Sequence, residues 1–353
     1  MRVELHVFTW RRLADFGALA AVLRAHPAES IRELVVLGKT EGPATLNDFS
    51  REVATGAAQA AVLAAGGPAL LARTTCLFST GCEGLASPFG MALVVLEESN
   101  ATTTAPRLAL ATARTAEVPY AGRGGAAHAR HVAAGVRAAM ARAGLTAAQV
   151  GLVLVKSPVL PAGAAEDSRA GSTGAARAAG ALGAALALGE ITDAALDAAG
   201  PLARAALHGS RAMAFSGTEL DHDEIVVLGN RPGAGGNLTI HATGLADALD
   251  VGAMRRLAAR LGARWNEDGV MQDPSPLRAM FLKLGTPPGG MLRGRRTTIL
   301  GSELTPDKHL RAAASGVAGA LFGAADIFVS GGAEGQAPAG GGLFATIAEA
   351  GAA

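Results

Sequence analysis

Three kinds of functional residue recur in the same order three times along the chain. In each unit an apolar strand ends in a lysine, a helix of small residues carries an arginine, and a second strand ends in a serine beside a glycine-containing turn. A further apolar strand completes the unit. Because a repeat of this kind cannot bury its apolar surfaces alone, the pattern predicts units that pack around one shared core.

The recurring residues have the chemistry of a binding or catalytic site. They are Lys39, Lys156, Lys283, Arg51, Arg177, Arg311, Ser79, Ser216 and Ser330. A lysine at the end of a buried strand is partly desolvated, which lowers its pKa and makes the neutral amine available as a base. A Ser–Lys pair can therefore act as nucleophile and base, while arginines donate paired hydrogen bonds to carbonyl groups.

The strands are continuous apolar runs such as VVL, VLV and IFV, which is typical of strands buried on both faces. We predict an α/β protein in which three pseudo-symmetric α/β repeat units surround a central barrel-like β core, with the helices outside. The units are expected at residues 1–103, 104–240 and 241–353. Together they would form one composite domain with a shared central site.

Composition excludes some partners and favours a cytoplasmic protein. The net charge is +1 and the basic residues are dispersed, so we expect neither nucleic acid nor a membrane surface as partner. No apolar run reaches the roughly 18 residues of a membrane span, and the start lacks the apolar core of a signal peptide. Cys76 and Cys82 are too few for a disulfide framework.

Each recurring residue also has an ordinary interpretation. A single lysine at a strand end is more often a solvated surface charge, and a serine before glycine is more often a turn residue. The GKT sequence at Gly38–Thr40 lacks the upstream glycine of a phosphate-binding loop. It is therefore the threefold recurrence, rather than any one residue, that predicts a site.

Several motifs in order resemble the cyanuric acid hydrolase/barbiturase family of ring-opening amidohydrolases over nearly the whole chain. They are GKTEG…NDFSRE at Gly38–Glu52, CEGLASP at Cys82–Pro88, ELDHDEIVVLG at Glu219–Gly229, RGRR at Arg293–Arg296 and SGGAEGQAPAGGG at Ser330–Gly342. The resemblance implies three repeats around a barrel-like core, a site of three Ser–Lys pairs and three arginines, a small cyclic amide as substrate, and a homotetramer.

The resemblance also implies roles for individual residues. Lys39, Lys156 and Lys283 match the family's site lysines, with Lys156 as the catalytic base. The three arginines match those that clamp the substrate. The remaining substrate-binding residues are serines paired with a neighbouring backbone N–H, namely Ser79 with Thr80 and Ser330 with Gly331.

The second serine departs from the family pattern and leaves two alignments open. Without a gap, the place of the family's nucleophilic serine holds Phe215, which would then line the substrate site. Aligned by strand ends, Ser216 corresponds to Ser79 and Ser330, and we expect Ser216 to be the nucleophile. Phe89 and Thr297 depart as well, since the family usually has histidine at both places.

A metal site in the glycine-rich tail is the remaining possibility. The family places a glutamate two residues past the third lysine, where this chain has Gly285. Backbone carbonyls can still offer oxygen ligands to Mg²⁺ or Ca²⁺. The candidate ligands are Ala333, Gln336, Ala337, Pro338 and Gly341. No cofactor is expected to be required.

The departures from the family pattern at Phe215, Phe89 and Thr297 affect which substrate we expect. Because they replace polar side chains, we expect hydrolytic opening of a cyclic amide or imide with fewer polar edges than cyanuric acid. The alternatives are a cyanuric acid or barbituric acid hydrolase proper, or a protein that binds cyclic imides without catalysis. Phe215 motivates the last of these.

Overall fold

The computed structural model describes residues 1–45, 48–97, 104–159, 172–198, 206–301 and 303–351. The first part of the chain contains β1 (Arg2–Thr9), α1 (Gly17–Arg24), β2 (Ile31–Thr40), α2 (Ser50–Leu71), β3 (Thr74–Thr80) and β4 (Phe89–Leu96). The predicted boundary at residue 103 lies outside the described residues.

Two further sets of elements follow. The second contains β5 (Arg107–Arg114), α3 (Ala126–Ala143), β6 (Val150–Pro158), α4 (Thr173–Ala187), α5 (Asp193–Ala198), β7 (Ala212–Gly217) and β8 (Glu224–Arg231). The third contains β9 (Leu238–Leu245), α6 (Val251–Arg260), β10 (Arg264–Trp265), β11 (Met271–Asp273), β12 (Leu277–Leu284), β13 (Met291–Leu292), β14 (Arg295–Arg296), α7 (Pro306–Phe322), β15 (Phe328–Gly331) and β16 (Gly342–Glu349).

The long strands form three four-stranded sheets with one strand order. The orders are β1-β4-β2-β3, β5-β8-β6-β7 and β9-β16-β12-β15. In each sheet the strand that carries the lysine runs parallel to the strand that follows the arginine helix and antiparallel to the last strand. Since a parallel pair needs a crossover, α2, α4 and α7 connect these strands.

The α/β class is confirmed, but the prediction of a barrel needs correction. The three sheets are open, and within the described ranges their strands do not pair into one closed barrel. Their inward faces instead share one apolar cluster, to which Leu37, Leu154 and Phe281 each contribute from a different sheet. The lysine strands are apolar on both faces because helices cover the other side, and separate apolar clusters fill those layers.

Helix α2 has the length and apolar composition of a membrane-spanning helix, alone among the described helices. Three observations favour a core helix instead. Arg51 and Glu52 occupy its first turn, its backbone breaks at Gly67 before Pro68, and its buried side chains pack against the first sheet.

Small residues let two helices of the second unit pack closely. Gly183 lies on the face of α4 that meets α3, and a Cβ atom built there would overlap the backbone oxygen of Ala129 and the side chain of Val132. Backbone cannot move aside as a flexible side chain can. The close approach of α3 to α4 therefore depends on glycine at this position.

Gly183→Ala is expected to lower the free energy of unfolding by about 1–3 kcal/mol through overpacking. Gly56→Ala is the matched control, because Gly56 is exposed on α2 with open space around its Cβ position. Alanine there should be neutral or stabilise by up to about 1 kcal/mol. Urea unfolding measures both changes, and equal effects of the two substitutions would contradict this packing.

Candidate functional site

The pairing of parallel strands brings lysines and serines together. Lys39 on β2 lies opposite Ser79 on β3, and Lys283 on β12 lies opposite Ser330 on β15. In the second sheet Lys156 on β6 lies opposite Phe215 on β7. The register thus gives two Ser–Lys positions and one Phe–Lys position.

Both Ser–Lys positions form hydrogen-bonded pairs. Lys39 Nζ donates to Ser79 Oγ at 3.2 Å and to the Thr80 carbonyl at 2.9 Å. Lys283 Nζ donates to Ser330 Oγ at 2.9 Å and to the Gly331 carbonyl at 3.0 Å. Thr80 and Gly331, predicted for their N–H groups, thus also fix the lysines through their carbonyls.

Lys156 has a different set of partners. Its Nζ lies 2.8 Å from Glu219 Oε1 and donates to the Phe78 carbonyl at 2.5 Å. Ser216 lies opposite Ser157, one position beyond Lys156. The strand-end alignment, which matched Ser216 with Ser79 and Ser330, therefore disagrees with the register, and the gap-free alignment that places Phe215 there agrees with it.

The three arginines each bind a glutamate from the next unit. Arg51 Nε donates to Glu219 Oε2 at 3.1 Å, and Arg177 donates from Nε and a terminal nitrogen to Glu334, both at 2.8 Å. Arg311 holds Glu83 in the same two-point manner, with 2.7 Å from Nε. The bonds thus join the first unit to the second, the second to the third and the third back to the first, which closes a cycle.

These residues surround one cavity of about 500 Å³. The predicted residues that line it are Arg51, Ser79, Thr80, Arg177, Phe215, Ser216, Lys283, Arg311, Ser330 and Gly331. Lys39 and Lys156 are not among the described lining residues, and all three lysines are fully buried. A volume of this size accommodates a small ring.

Burial lowers the pKa of each lysine. Desolvation, reinforced by the nearby Arg311, lowers the pKa of Lys39 to about 7. Desolvation lowers that of Lys156 to about 8, opposed by the attraction of Glu219. The pKa of Lys283 falls well below its ordinary value, because it is buried and Arg177 is close. Amines of this kind are available as bases near neutral pH.

Phe215 and Asp307 break the similarity among the three sides of the cavity. The Phe215 ring packs edge-on against Phe328 and lies 4.8 Å from Lys283 Nζ. Asp307, at the start of α7, is the carboxylate among the described lining residues. It accepts hydrogen bonds from Arg177 at 3.2 Å and from the Thr286 hydroxyl at 3.3 Å. One side of the cavity is therefore apolar and another acidic.

Two departures from the family pattern lie away from this cavity. Phe89 is buried in β4 beside Lys39, and Thr297 donates its hydroxyl to the Gly290 carbonyl at 2.7 Å. Neither belongs to the described lining residues. Of the three departures, only Phe215 can contact a ligand there directly.

The candidate metal loop offers a neutral ligand set. The Gly341 carbonyl accepts a hydrogen bond from Gly285 N at 2.8 Å, and the Ala333 and Pro338 carbonyls accept from backbone N–H groups within the loop. The Gln336 side chain accepts a hydrogen bond from Ala214 N and donates one to the Gly332 carbonyl. With Gly285 in place of a carboxylate, the described groups fit a divalent cation poorly, since such ions favour charged oxygen ligands.

The sequence reasoning missed the glutamates and Asp307 as site residues. Glu83 and Glu334 stand four positions after Ser79 and Ser330, and Glu219 stands four after Phe215. This constant spacing of four residues could have identified the glutamates as site residues, and it also supports the gap-free alignment. Asp307 offered no such signal, because its place depends on how α7 packs.

The fold and the site define an α/β enzyme that hydrolyses cyclic amides. The sequence profile described as amidohydrolase ring-opening protein matches residues 4–349, and the chain belongs to that family. Cyanuric acid amidohydrolase of Methylobacterium sp. (strain 4-46) is 39% identical, over 95% of this chain and 93% of that protein. Cyclic amide hydrolase of Azorhizobium caulinodans is 33% identical, over 99% and 100%.

Solved structures agree in fold. The crystal structure of cyanuric acid hydrolase from A. caulinodans superposes with a TM-score of 0.87 at 35% identity, covering 99% of each chain. A second cyanuric acid hydrolase structure gives a TM-score of 0.88 at 30% identity, again over 99% of each chain. The family predicted from the motifs is confirmed.

The Arg–Glu links predict a stability effect. Glu219 is buried between Arg51 and Lys156, so Glu219→Gln leaves two cations without a counter-charge and should lower the free energy of unfolding by about 3 kcal/mol or more. Glu349→Gln is the control, because its pair with Arg278 is exposed and contributes less than about 1 kcal/mol. Denaturant unfolding compares them, and similar losses would refute the structural role of Glu219.

Proposed function

We propose that this protein opens the ring of a small cyclic amide or imide by a Ser–Lys mechanism. The observation that carries the proposal is the pair of Ser–Lys hydrogen bonds beside a cavity that three arginines surround. A lysine of lowered pKa removes the serine proton, and the serine oxygen attacks a ring carbonyl carbon. The membership of the family supports the same reaction.

We further propose that the three units are related by threefold pseudo-symmetry. Their identical strand orders and the closed cycle of Arg–Glu links support this. In the described contacts each glutamate binds one side of its guanidinium, and we expect the remaining N–H groups to face the cavity. Those donors suit carbonyl oxygens spaced around a flat ring.

The substrate is proposed to be a ring with fewer polar edges than cyanuric acid. Phe215 supports this, because it replaces a hydroxyl with an apolar ring at the cavity wall. Asp307 adds an acceptor, which favours an N–H donor on the substrate edge that it faces. The relatives named for cyanuric acid keep cyanuric acid or barbituric acid hydrolysis as the alternative.

A second candidate function is binding of cyclic imides without catalysis. Phe215 favours it, since it stands opposite Lys156 at the position where the first and third units have a serine opposite the lysine. Product formation separates the two functions, because both bind the ring. No step of the proposed hydrolysis passes through a metal, and binding of Mg²⁺ or Ca²⁺ at the tail, whose described ligands are neutral, is a separate proposal. The homotetramer and the cytoplasmic location stay predictions.

A panel of cyanuric acid, barbituric acid, uracils, hydantoins and substituted succinimides tests the substrate. We expect ring opening of a substituted imide or pyrimidine-like lactam with kcat/KM at least about tenfold above that for cyanuric acid. Phe215→Ser should shift the preference toward cyanuric acid, whereas Phe215→Leu, which stays apolar, should not. Fast turnover of cyanuric acid by the unaltered protein would refute the narrower claim, and binding without any product would favour the second function.

The pH dependence tests the lysine base. Only the neutral amine accepts the serine proton, so kcat/KM should rise with pH as the lysine loses its proton. Because burial lowers the pKa of all three lysines, this rise should be complete far below 10.5, the ordinary value for lysine. A rate that still increases steeply above pH 9 would exclude these lysines as the base.

A further inference from the structure

We propose that Ser330 is the nucleophile and Lys283 its base, so that the third unit carries the chemistry. This assignment rests on the proposed ring-opening function. It differs from the sequence-based expectation, in which Ser216 and Lys156 had these roles.

Among the described residues of the second unit, the lysine does not contact a serine hydroxyl. Lys156 Nζ is held by the Glu219 carboxylate at 2.8 Å and by the Phe78 carbonyl, and the carboxylate opposes the lowering of the Lys156 pKa by burial. Its Nζ is therefore directed at a carboxylate rather than at a serine hydroxyl. The side chain opposite Lys156 is that of Phe215, which has no hydroxyl to activate.

The two remaining pairs differ in their access to the cavity. Ser330 and Lys283 both line it, whereas Ser79 lines it and Lys39 does not. The base must return its proton to the leaving nitrogen, so it needs a short path to the ring. The hydrogen bond is also shorter in the third unit, 2.9 Å from Lys283 to Ser330 against 3.2 Å from Lys39 to Ser79.

Asp307, the carboxylate among the described lining residues, lies beside the turn that carries Ser330. A Cβ atom built on Gly331 would lie 2.9 Å from the Asp307 carbonyl oxygen, so the start of α7 packs directly against the turn that carries Ser330. Arg177 and Thr286 orient the Asp307 carboxylate. It can accept a hydrogen bond from a ring N–H and so present the adjacent carbonyl to Ser330.

The surroundings of Lys283 favour the neutral amine. Its side chain is fully buried and Arg177 repels the ammonium form, and together these effects outweigh the attraction of Glu334 and Asp307. The face of the Phe215 ring, 4.8 Å from Nζ, attracts an ammonium group, so burial rather than the ring keeps this amine neutral.

The reaction balances with these groups and water. Ser330 Oγ bonds to the ring carbonyl carbon while its proton passes to Lys283 Nζ, and the ring C–N bond then breaks as Lys283 returns that proton to nitrogen. Water attacks the resulting ester and gives one proton to Lys283, which passes it to the departing Ser330 oxygen. The product is an open-chain acid, and the protein is regenerated.

A fluorophosphonate probe tests the nucleophile independently of the substrate. The serine oxygen attacks phosphorus, fluoride leaves, and the serine proton goes to the lysine, so only an activated serine is labelled. Peptide mass spectrometry of the labelled protein should place the adduct on Ser330. Lys283→Met should reduce the labelling rate at least about 100-fold. An adduct on Ser79 or Ser216, or none on Ser330, overturns the assignment.

Turnover of the best ring from the panel supplies the second test. Ser330→Ala should lower kcat at least about 1,000-fold with the ring still bound by calorimetry, whereas Ser79→Ala and Ser216→Ala should lower it by about tenfold or less. Unchanged unfolding temperatures exclude misfolding. If Ser330→Ala stays active, the assignment fails and the proposed function stands. If no ring is opened yet Ser330 is labelled, the proposed function fails and the nucleophile stands.

Discussion

Three lysine side chains are buried at the ends of the central strands, and the rest of the site is arranged around that constraint. Lys39, Lys156 and Lys283 are each 1% exposed or less. A buried ammonium group without partners would be very costly, so each amine must either be paired or lose its proton. The carbonyls, serine hydroxyls and one glutamate that surround the lysines satisfy this requirement in two different ways.

In the second unit a carboxylate compensates the buried charge. Glu219 binds both Lys156 and Arg51, and the phenyl ring of Phe215 occupies the space opposite the lysine. In the first and third units the lysine contacts a serine and a carbonyl, and the described ion pairs of Glu83 and Glu334 are with arginines. The position of one glutamate thus distinguishes a lysine that contacts a carboxylate from two lysines that contact serine hydroxyls.

The sequence predicted the fold class, the family and the clustering of arginines, lysines and serines, because strands and helices that repeat in one order place their ends together. It did not predict the register at Phe215. A shift by one residue changes which side chain faces Lys156, and the strand-end pattern alone does not fix that register.

The sequence also did not predict that the sheets are open. Continuous apolar strands are expected both in a closed barrel and in three open sheets that pack against one another, so the pattern does not distinguish the two. The position of Asp307 depends on the packing of α7 against its neighbours, which no local pattern reports.

A crystal structure of the Ser330→Ala protein with its best ring substrate bound tests the central claim most directly. We predict one ring in the cavity, with guanidinium nitrogens of Arg51, Arg177 and Arg311 about 3 Å from its oxygens. The scissile carbonyl carbon should lie about 3–3.5 Å from the position of the missing Ser330 oxygen, with a ring N–H directed at Asp307. A ring whose carbonyl faces Ser79 or Ser216, or that binds outside this cavity, would contradict the account.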